Sequence, residues 1–267
     1  MTKGVLYYTD NKLDEQLALL CRRYIEASEL PITSVSLKPI SFGNNICLPL
    51  ERGYETMFTQ ILTGLEAMKE DMVYFCEHDI LYPKEHFDFT PADKNKFYYN
   101  GNYWFVRLSD GFSVHYNVSP LSGLVACREA LITHFKERLE LIKKEGFSRQ
   151  IGFEPMTHRR IKWNAWYDFE LFTPSRPNVD LCHEHNSTWK RWSTDKFRRK
   201  PTFWEESTIN NIPGWPDLPQ ILKPFLGTTE QVSTPKDDSI TIVIPARNEE
   251  FIGRTVEDLL KNIRGNT

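Results

Sequence analysis

Met72-Val73-Tyr74-Phe75-Cys76 is an unbroken apolar run stopped by three polar residues, Glu77-His78-Asp79. A strand that is apolar at every position has both faces covered, which points to a sheet sandwiched between layers. The residues before it carry a matching alternation. Val5 to Thr9 is a short strand run closed by Asp10-Asn11, and Leu13 to Ser28 places Leu13, Leu17, Leu20, Tyr24 and Ala27 on one helical face. Pro31 ends that unit, Ile32 to Leu37 alternates like a strand, and Tyr54 to Met68 forms a second amphipathic helix. Strand, helix, strand, helix, strand over the first 90 residues predicts an α/β fold with a mainly parallel central sheet. In such sheets the ligand crevice lies beyond the carboxyl ends of the strands, where Asp10 and the Glu77-His78-Asp79 triplet fall.

Further along, Phe97 to Val118 is aromatic and strand-like, with turns at Asn100-Gly101-Asn102 and Asp110-Gly111 that predict a hairpin. Ala130 to Lys144 is a charged amphipathic helix ended by Gly146, and periodicity then fades. Gly227 to Asp238 has linker composition. Ser239 to Thr267 begins again with the strand run Ile240 to Ile244, a turn, and a helix over Arg254 to Ile263. One strand and one helix bury no core of their own. The expected division is therefore 1–226 for the main domain, 227–238 for a linker and 239–267 for the opening of a truncated second domain.

Net charge is −3, so any attraction for a polyanion must come from a local patch. The five cysteines form no C-x-x-C pair, which argues against a disulfide framework or a zinc knuckle. No window approaches the ~18 apolar residues of a membrane span, and the first residues show no signal-peptide pattern. The expected location is cytoplasmic, with no membrane partner. Phosphate-loop, dinucleotide-fingerprint and nucleophile-elbow motifs are absent from the sequence.

Three constellations and one acid carry chemistry. Glu77 and Asp79 flank one residue at a strand end and can offer oxygen ligands to a hard divalent cation, Mg²⁺ or Mn²⁺; the plain alternative is a solvated strand terminus. In Asp180 to Thr188, His183 can complete a metal shell, although a His-x-His motif more often just faces solvent. The stretch Asn186 to Trp204 interleaves Lys190, Arg191, Lys196, Arg198, Arg199 and Lys200 with Trp189, Trp192, Phe197, Phe203 and Trp204. That pattern can grip a nucleic acid or a diphosphate sugar, or simply be a solvated basic face on a hydrophobic C-terminal wrap. Glu154, in Gly152-Phe153-Glu154-Pro155, is a carboxylate that can take a proton from an attacking hydroxyl, or pair with Arg159 or Arg160 at the surface. Asp168 and Glu170 are reserve candidates for that base.

The ordered series Tyr8-Thr9-Asp10, Arg52-Gly53-Tyr54, Gln60-Ile61-Leu62-x-Gly64-Leu65-Glu66, Glu77-His78-Asp79 and Leu121-Ser122-Gly123 resembles glycosyltransferases of the GT-A fold. The resemblance is to family-2-like enzymes of phage and bacterial genomes. It continues through Gly152-Phe153-Glu154-Pro155, Asp180-x-x-His183-x-x-Asn186-x-Thr188 and Pro213-Gly214-Trp215, covering residues 3 to 226. It implies a Rossmann-like nucleotide-sugar-binding fold in which Glu77-His78-Asp79 stands at the Asp-x-Asp metal motif, with Asp79 the safer ligand because Glu77 replaces the first Asp. His183 stands where such enzymes draw a further metal ligand. Tyr8, Thr9 and Asp10 stand where they hold base and ribose, Arg52 and Tyr54 where the donor diphosphate can be served, and Ser122 and Gly123 where the donor-sugar and acceptor pocket is shaped. Met156 follows Glu154-Pro155 where the family pattern has Gly. Ile242-Val243-Ile244-Pro245-Ala246-Arg247-Asn248-Glu249 resembles the opening of another family-2 glycosyltransferase domain.

The resulting expectation is a metal-dependent, inverting glycosyltransferase that uses a nucleotide-sugar donor, UDP-linked, with Mn²⁺ or Mg²⁺. Glu154 is the expected base, and Arg159, Arg160, Trp189, Lys190 and Arg191 are the expected acceptor-side residues. Two acceptors stay open: 5-hydroxymethylated pyrimidine in phage DNA, preferred for the basic and aromatic stretch, and a cell-surface glycan. The rivals from other classes are a GT-A-like binding domain without catalysis and, more distantly, a metal-dependent nuclease.

Overall fold

The structure is a computed structural model that describes residues 1–157, 163, 167–183 and 191–227. Apart from Gly227, the expected linker and second-domain opening lie outside the described residues. The chain runs β1 (Lys3–Thr9), α1 (Glu15–Glu26), β2 (Ile32–Ser36), β3 (Asn44–Cys47), α2 (Tyr54–Ala67), β4 (Met72–Glu77), β5 (Ile80–Leu81) and α3 (Lys84–Asp88). It continues with β6 (Lys96–Asn100), β7 (Tyr103–Arg107), β8 (Phe112–His115), β9 (Leu124–Cys127) and α4 (Arg128–Glu145). Then come β10 (Asp168–Phe172), β11 (Asn178–Cys182), β12 (Glu205–Thr208) and α5 (Leu218–Leu222).

Seven strands form the main sheet in the order β3-β2-β1-β4-β9-β6-β10. All its neighbours are parallel except the two pairs made by β9, so the expected α/β class with a mainly parallel, Rossmann-like sheet is the one adopted. A second sheet, β12-β8-β7-β11-β5, is antiparallel except between β7 and β11.

The pleat of β1 shows why the sequence lacks alternation there. Leu6 and Tyr8 join Phe58, Ile61 and Leu65 of α2 and Leu131 and Phe135 of α4 in one core. Val5 and Tyr7 point the other way, into a core with Tyr103 and Phe105 of β7 and Val114 of β8. Both faces are covered, one by helices and one by the second sheet. A third core sets Leu17 and Cys21 of α1 against Trp104, Val179, Leu181 and Trp215. Helix α2 comes very close to β1 at Gly64, where a Cβ would stand 2.3 Å from Leu6 Cδ1.

The helices follow their sequence signals. Asp14 Oδ1 accepts from Gln16 N and Leu17 N at 3.0 and 3.1 Å and starts α1, while Gly146, at φ +78°, ends α4. The hairpin expectation needs correction. Asp110-Gly111 does join paired strands, β7 and β8. The Asn100-Gly101-Asn102 turn instead sends the chain from one sheet to the other, because β6 pairs with β9 and β10 while β7 pairs with β8 and β11. The buried Asn100 makes that crossing possible: its Oδ1 accepts from Asn102 N at 2.8 Å, replacing a hairpin bond. The five cysteines are unpaired thiols, and no described helix is long and apolar enough to cross a membrane.

Beyond β1 the chain builds β2 and β3 on one side, and α2 then carries it to β4 on the other. The carboxyl ends of β1 and β4 therefore flank a topological switch point, where open α/β sheets form their ligand crevice.

Candidate functional site

A cavity of about 500 Å³ opens at that switch point. Its volume lies within the ~300–1,000 Å³ of small-molecule sites. The β1 end supplies Tyr8, Thr9 and Asp10, the α2 end supplies Arg52, Tyr54 and Gln60, the β4 end supplies Glu77, His78 and Asp79, and His183 closes it beyond β11. Residues spread over nearly the whole domain thus share one wall.

Local bonding holds each part. Asn11, at φ +58°, accepts from Leu37 N and Lys38 N at 2.9 Å each, tying the β1 loop to the end of β2. Left-handed backbone is tolerated best by Gly and Asn, which is the physical content of the Asp10-Asn11 turn signal. Buried Gln60 donates to Thr9 O at 2.9 Å and Val35 O at 3.2 Å, fastening α2 across the ends of β1 and β2. Arg52 Nε reaches Asp10 Oδ2 at 2.6 Å across the mouth.

Strand pairing brings His183 in. The short β5 pairs antiparallel with β11, Ile80 opposite Asp180, and Leu181 N donates to Asp79 O at 2.9 Å. His183 Nε2 then lies 3.6 Å from Asp79 Oδ2. Ligand atoms of His78, Asp79 and His183 all fall within 4.8 Å of one another, a spacing that suits one cation. Glu77 stands outside this group because its Oε1 accepts from Tyr8 OH at 2.5 Å. Two imidazoles and a carboxylate fit Mn²⁺ better than Mg²⁺, which prefers an all-oxygen shell.

Electrostatics single out Asp79. Burial, then the charge of Asp79, push Glu77 up to about 8 despite the bond from Tyr8. Burial with Asp79 and Glu77 nearby raises Asp180 well above the carboxylate range, while Cys182 Sγ donates to it at 3.4 Å. Burial also opposes ionisation of Asp79, but His78 and His183 outweigh it and hold Asp79 below its ordinary value. Three acids crowd this spot, and the one between two imidazoles carries the charge.

Glu154 is not on the cavity wall but within electrostatic reach of Glu77, Arg138 and Arg191. Burial raises its carboxyl, with Arg138 and Arg191 pulling it back. Three successive carbonyls fix its turn: Arg138 Nη2 donates to Phe153 O at 2.8 Å, Thr157 Oγ1 to Glu154 O at 2.9 Å and Tyr99 OH to Pro155 O at 2.7 Å. Met156, where the resemblance leads one to expect Gly, sits at φ +63° in the left-handed region that Gly favours.

The remaining expected residues are placed differently. Ser122 and Gly123 are buried behind the cavity, in a short turn where Tyr82 OH donates to Ser122 O at 3.1 Å and Tyr103 OH sits 3.3 Å from Ser122 Oγ. Asp168 and Glu170 lie exposed on β10, Glu170 paired with Lys96. Arg159, Arg160, Trp189 and Lys190 fall outside the described residues. Arg191 is exposed with its guanidinium 5.5 Å from the Phe197 ring centre. A larger cavity of about 1540 Å³, lined by Lys12, Arg107, Trp192, Lys196 and Phe225 among others, shares Lys12 and His183 with the first.

Sequence reasoning missed His78, treated as the spacer of the acid pair, and gave Asp180 no role. A His between two acids was the available signal for the first. Nothing in the sequence pairs the two-residue β5 with β11.

No family model and no curated protein matches this sequence. Solved structures do, at low identity. One is a glycosyltransferase involved in the glycosylation of the major capsid of PBCV-1, at 10% identity and TM-score 0.45, covering 72% of this chain and 97% of that one. A mycobacterial protein follows at 10% identity and TM-score 0.39, covering 70% and 69%. S. aureus TarS stands at 9% identity and TM-score 0.35, covering 68% and 37%.

Proposed function

We propose that this protein is a metal-dependent, inverting GT-A glycosyltransferase that moves a sugar from a nucleotide-sugar donor to an acceptor hydroxyl. The observation that carries the reading is the convergence of His78, Asp79 and His183 at the switch-point cavity, beside the Thr9–Asp10 loop. His78, Asp79 and His183 would hold Mn²⁺, which when bound offsets the charge of a leaving diphosphate. Thr9, Asp10 and Gln60 line the side of the cavity proposed for the nucleoside. A UDP-sugar is the first donor to test, on the family resemblance.

In the reaction the acceptor oxygen forms a bond to the anomeric carbon while the bond from that carbon to the diphosphate oxygen breaks. The proposed base that takes the hydroxyl proton is Glu154, which lines neither cavity but lies near enough to Glu77 to raise that residue's carboxyl. The turn of Glu154 is pinned at three backbone carbonyls, so the segment that carries the acid is held before substrate arrives. The second cavity, which shares Lys12 and His183 with the first, is the proposed acceptor side, with Trp192 and Phe225 as aromatic faces and Lys12 and Lys196 as cations. Those groups support 5-hydroxymethylpyrimidine DNA as the first acceptor to try.

The deciding experiment incubates purified protein with Mn²⁺ and each common nucleotide sugar, with and without 5-hydroxymethylcytosine DNA, and reads free nucleotide and DNA mass. Nucleotide release that needs Mn²⁺ and disappears in Asp79→Asn is the expected result. A sugar mass on the DNA identifies the acceptor, whereas release indifferent to DNA redirects the search to glycans. Full release in the presence of EDTA would refute the metal-dependent reading.

A further inference from the structure

Tyr54 and Phe147 are large aromatic side chains left 54% and 42% exposed at the rim of the donor cavity. Their rings stack face to face, centres 4.4 Å apart and planes within 5°. Aromatic surface in solvent forgoes the stabilisation that burial provides, so a rigid exposed pair calls for a reason.

The backbone around the pair is shaped to present it. Gly146, at φ +78°, stops α4 and turns the chain just before Phe147. Gly152 leaves room for the ring: a Cβ there would stand 2.9 Å from Phe147 Cζ. Tyr54 is the first residue of α2 and lines the cavity, whereas Phe147 does not. Phe147 therefore backs Tyr54 from outside, and the tyrosine is the ring on the cavity side.

We propose that Tyr54, held flat by Phe147, is the platform on which the nucleobase of the donor stacks. This rests on the nucleotide-sugar reading above and changes one assignment within it, since the resemblance gives Tyr54 to the diphosphate. Tyr8, the other aromatic of the expected nucleoside loop, offers no face: it is 4% exposed and its hydroxyl is bound to Glu77. The occupant is a planar heterocycle rather than a lipid chain, because the Asp10–Arg52 ion pair shares this rim. A stacked base is worth ~1–3 kcal/mol and tolerates any base, so the platform sets affinity for the nucleotide while leaving base identity to other groups.

The test is calorimetric titration of the Mn²⁺-loaded protein with UDP, ADP and GDP, and separately with inorganic pyrophosphate, for wild type, Tyr54→Ala, Tyr54→Phe and Phe147→Ala. Both side chains are exposed, and circular dichroism checks that each variant folds. Tyr54→Ala should weaken every nucleotide by about 5- to 150-fold, the equivalent of ~1–3 kcal/mol. Phe147→Ala should weaken them in the same direction, Tyr54→Phe should keep wild-type affinity, and pyrophosphate should bind all four proteins alike. Equal losses for nucleotide and pyrophosphate would overturn the platform, as would unchanged nucleotide affinity in both alanine variants while the donor reading stands. Wild type that binds no nucleotide at all would overturn the donor reading, and the platform with it.

Discussion

Taking the pH from 7.5 to 5 protonates an ordinary imidazole, whose pKa is ~6.5, but not His86. His86 lies on α3 with no exposed surface, its ring among Tyr74, Tyr82, Phe87 and Phe172. Burial alone takes its pKa down to about 3. Its Nδ1 accepts from Asn100 Nδ2 at 3.1 Å and faces Asn178 Nδ2 at 3.5 Å, so a proton there would confront two donors. The sign follows directly. Below pH ~6.5 the unfolded chain binds this proton and the folded one does not until about 3, so folding stability falls with pH across that window. The slope approaches ~1.4 kcal/mol per pH unit, and the accumulated loss at pH 5 is about 2 kcal/mol, a sizeable part of the ~5–15 kcal/mol of a typical domain. Urea unfolding at pH 7.5 and 5.0, on wild type and His86→Gln, isolates this contribution because the other titrating groups are common to both proteins. Wild type should lose about 2 kcal/mol more than the variant over that interval. Equal losses would refute the reasoning. Asn178 opens β11, the strand that delivers His183, so acid loosening should reach the cavity as well.

Other outcomes follow from single contacts. Gly64→Ala should destabilise by ~1–3 kcal/mol in the same urea assay, because its Cβ meets Leu6 at 2.3 Å; unchanged stability would mean that α2 shifts freely on the sheet. Arg138→Met removes a charge that holds down the carboxyl of Glu154, which burial already raises, so the acid limb of kcat/KM should move to higher pH. A limb that stays in place, with activity retained, would remove Glu154 as the base. His78→Ala should weaken Mn²⁺ binding by at least ~10-fold, read by the paramagnetic resonance of free Mn²⁺, whereas Glu77→Gln should leave it within a few-fold. The opposite order would make Glu77 the ligand and His78 the spacer.

Legibility tracked whether a feature was local. The apolar runs of β1 and β4 identified a covered sheet because each strand buries both faces, and the polar residues that end them marked the crevice edge. Helices α1 and α2 showed their periodicity because one side of each faces a core. Past α4 the pattern faded for a physical reason: β10 and β12 are short and expose alternate or successive residues at sheet edges, and β11 is buried only through partners distant in sequence. The Asn100 crossing looked like a hairpin because Asn-Gly turns are a hairpin signal, whereas here Asn100 Oδ1 holds Asn102 N and Gly101 N bonds Phe172 O of β10.

The site repeats that division. Its two strand-end acids and the β1 loop are contiguous in sequence and were visible there, yet each is only half of a binding surface. What makes the triplet a centre is the pairing of Ile80 with Asp180, which carries His183 across more than a hundred residues to within 3.6 Å of Asp79. The same pairing brings Asp180 close enough to interact electrostatically with Glu77 and Asp79, so the arrangement that gathers the candidate metal ligands also favours ionisation of one acid, Asp79. A carboxylate in place of His183 would add like charge to this crowded group, whereas the histidine there favours the ionised form of Asp79. On that argument His183→Asp should fail to restore the Mn²⁺ affinity that His183→Ala loses, although aspartate is an ordinary oxygen ligand for this ion. A fully restored affinity, measured by the same resonance assay, would show that ligand count governs this centre and that charge balance among its acids does not.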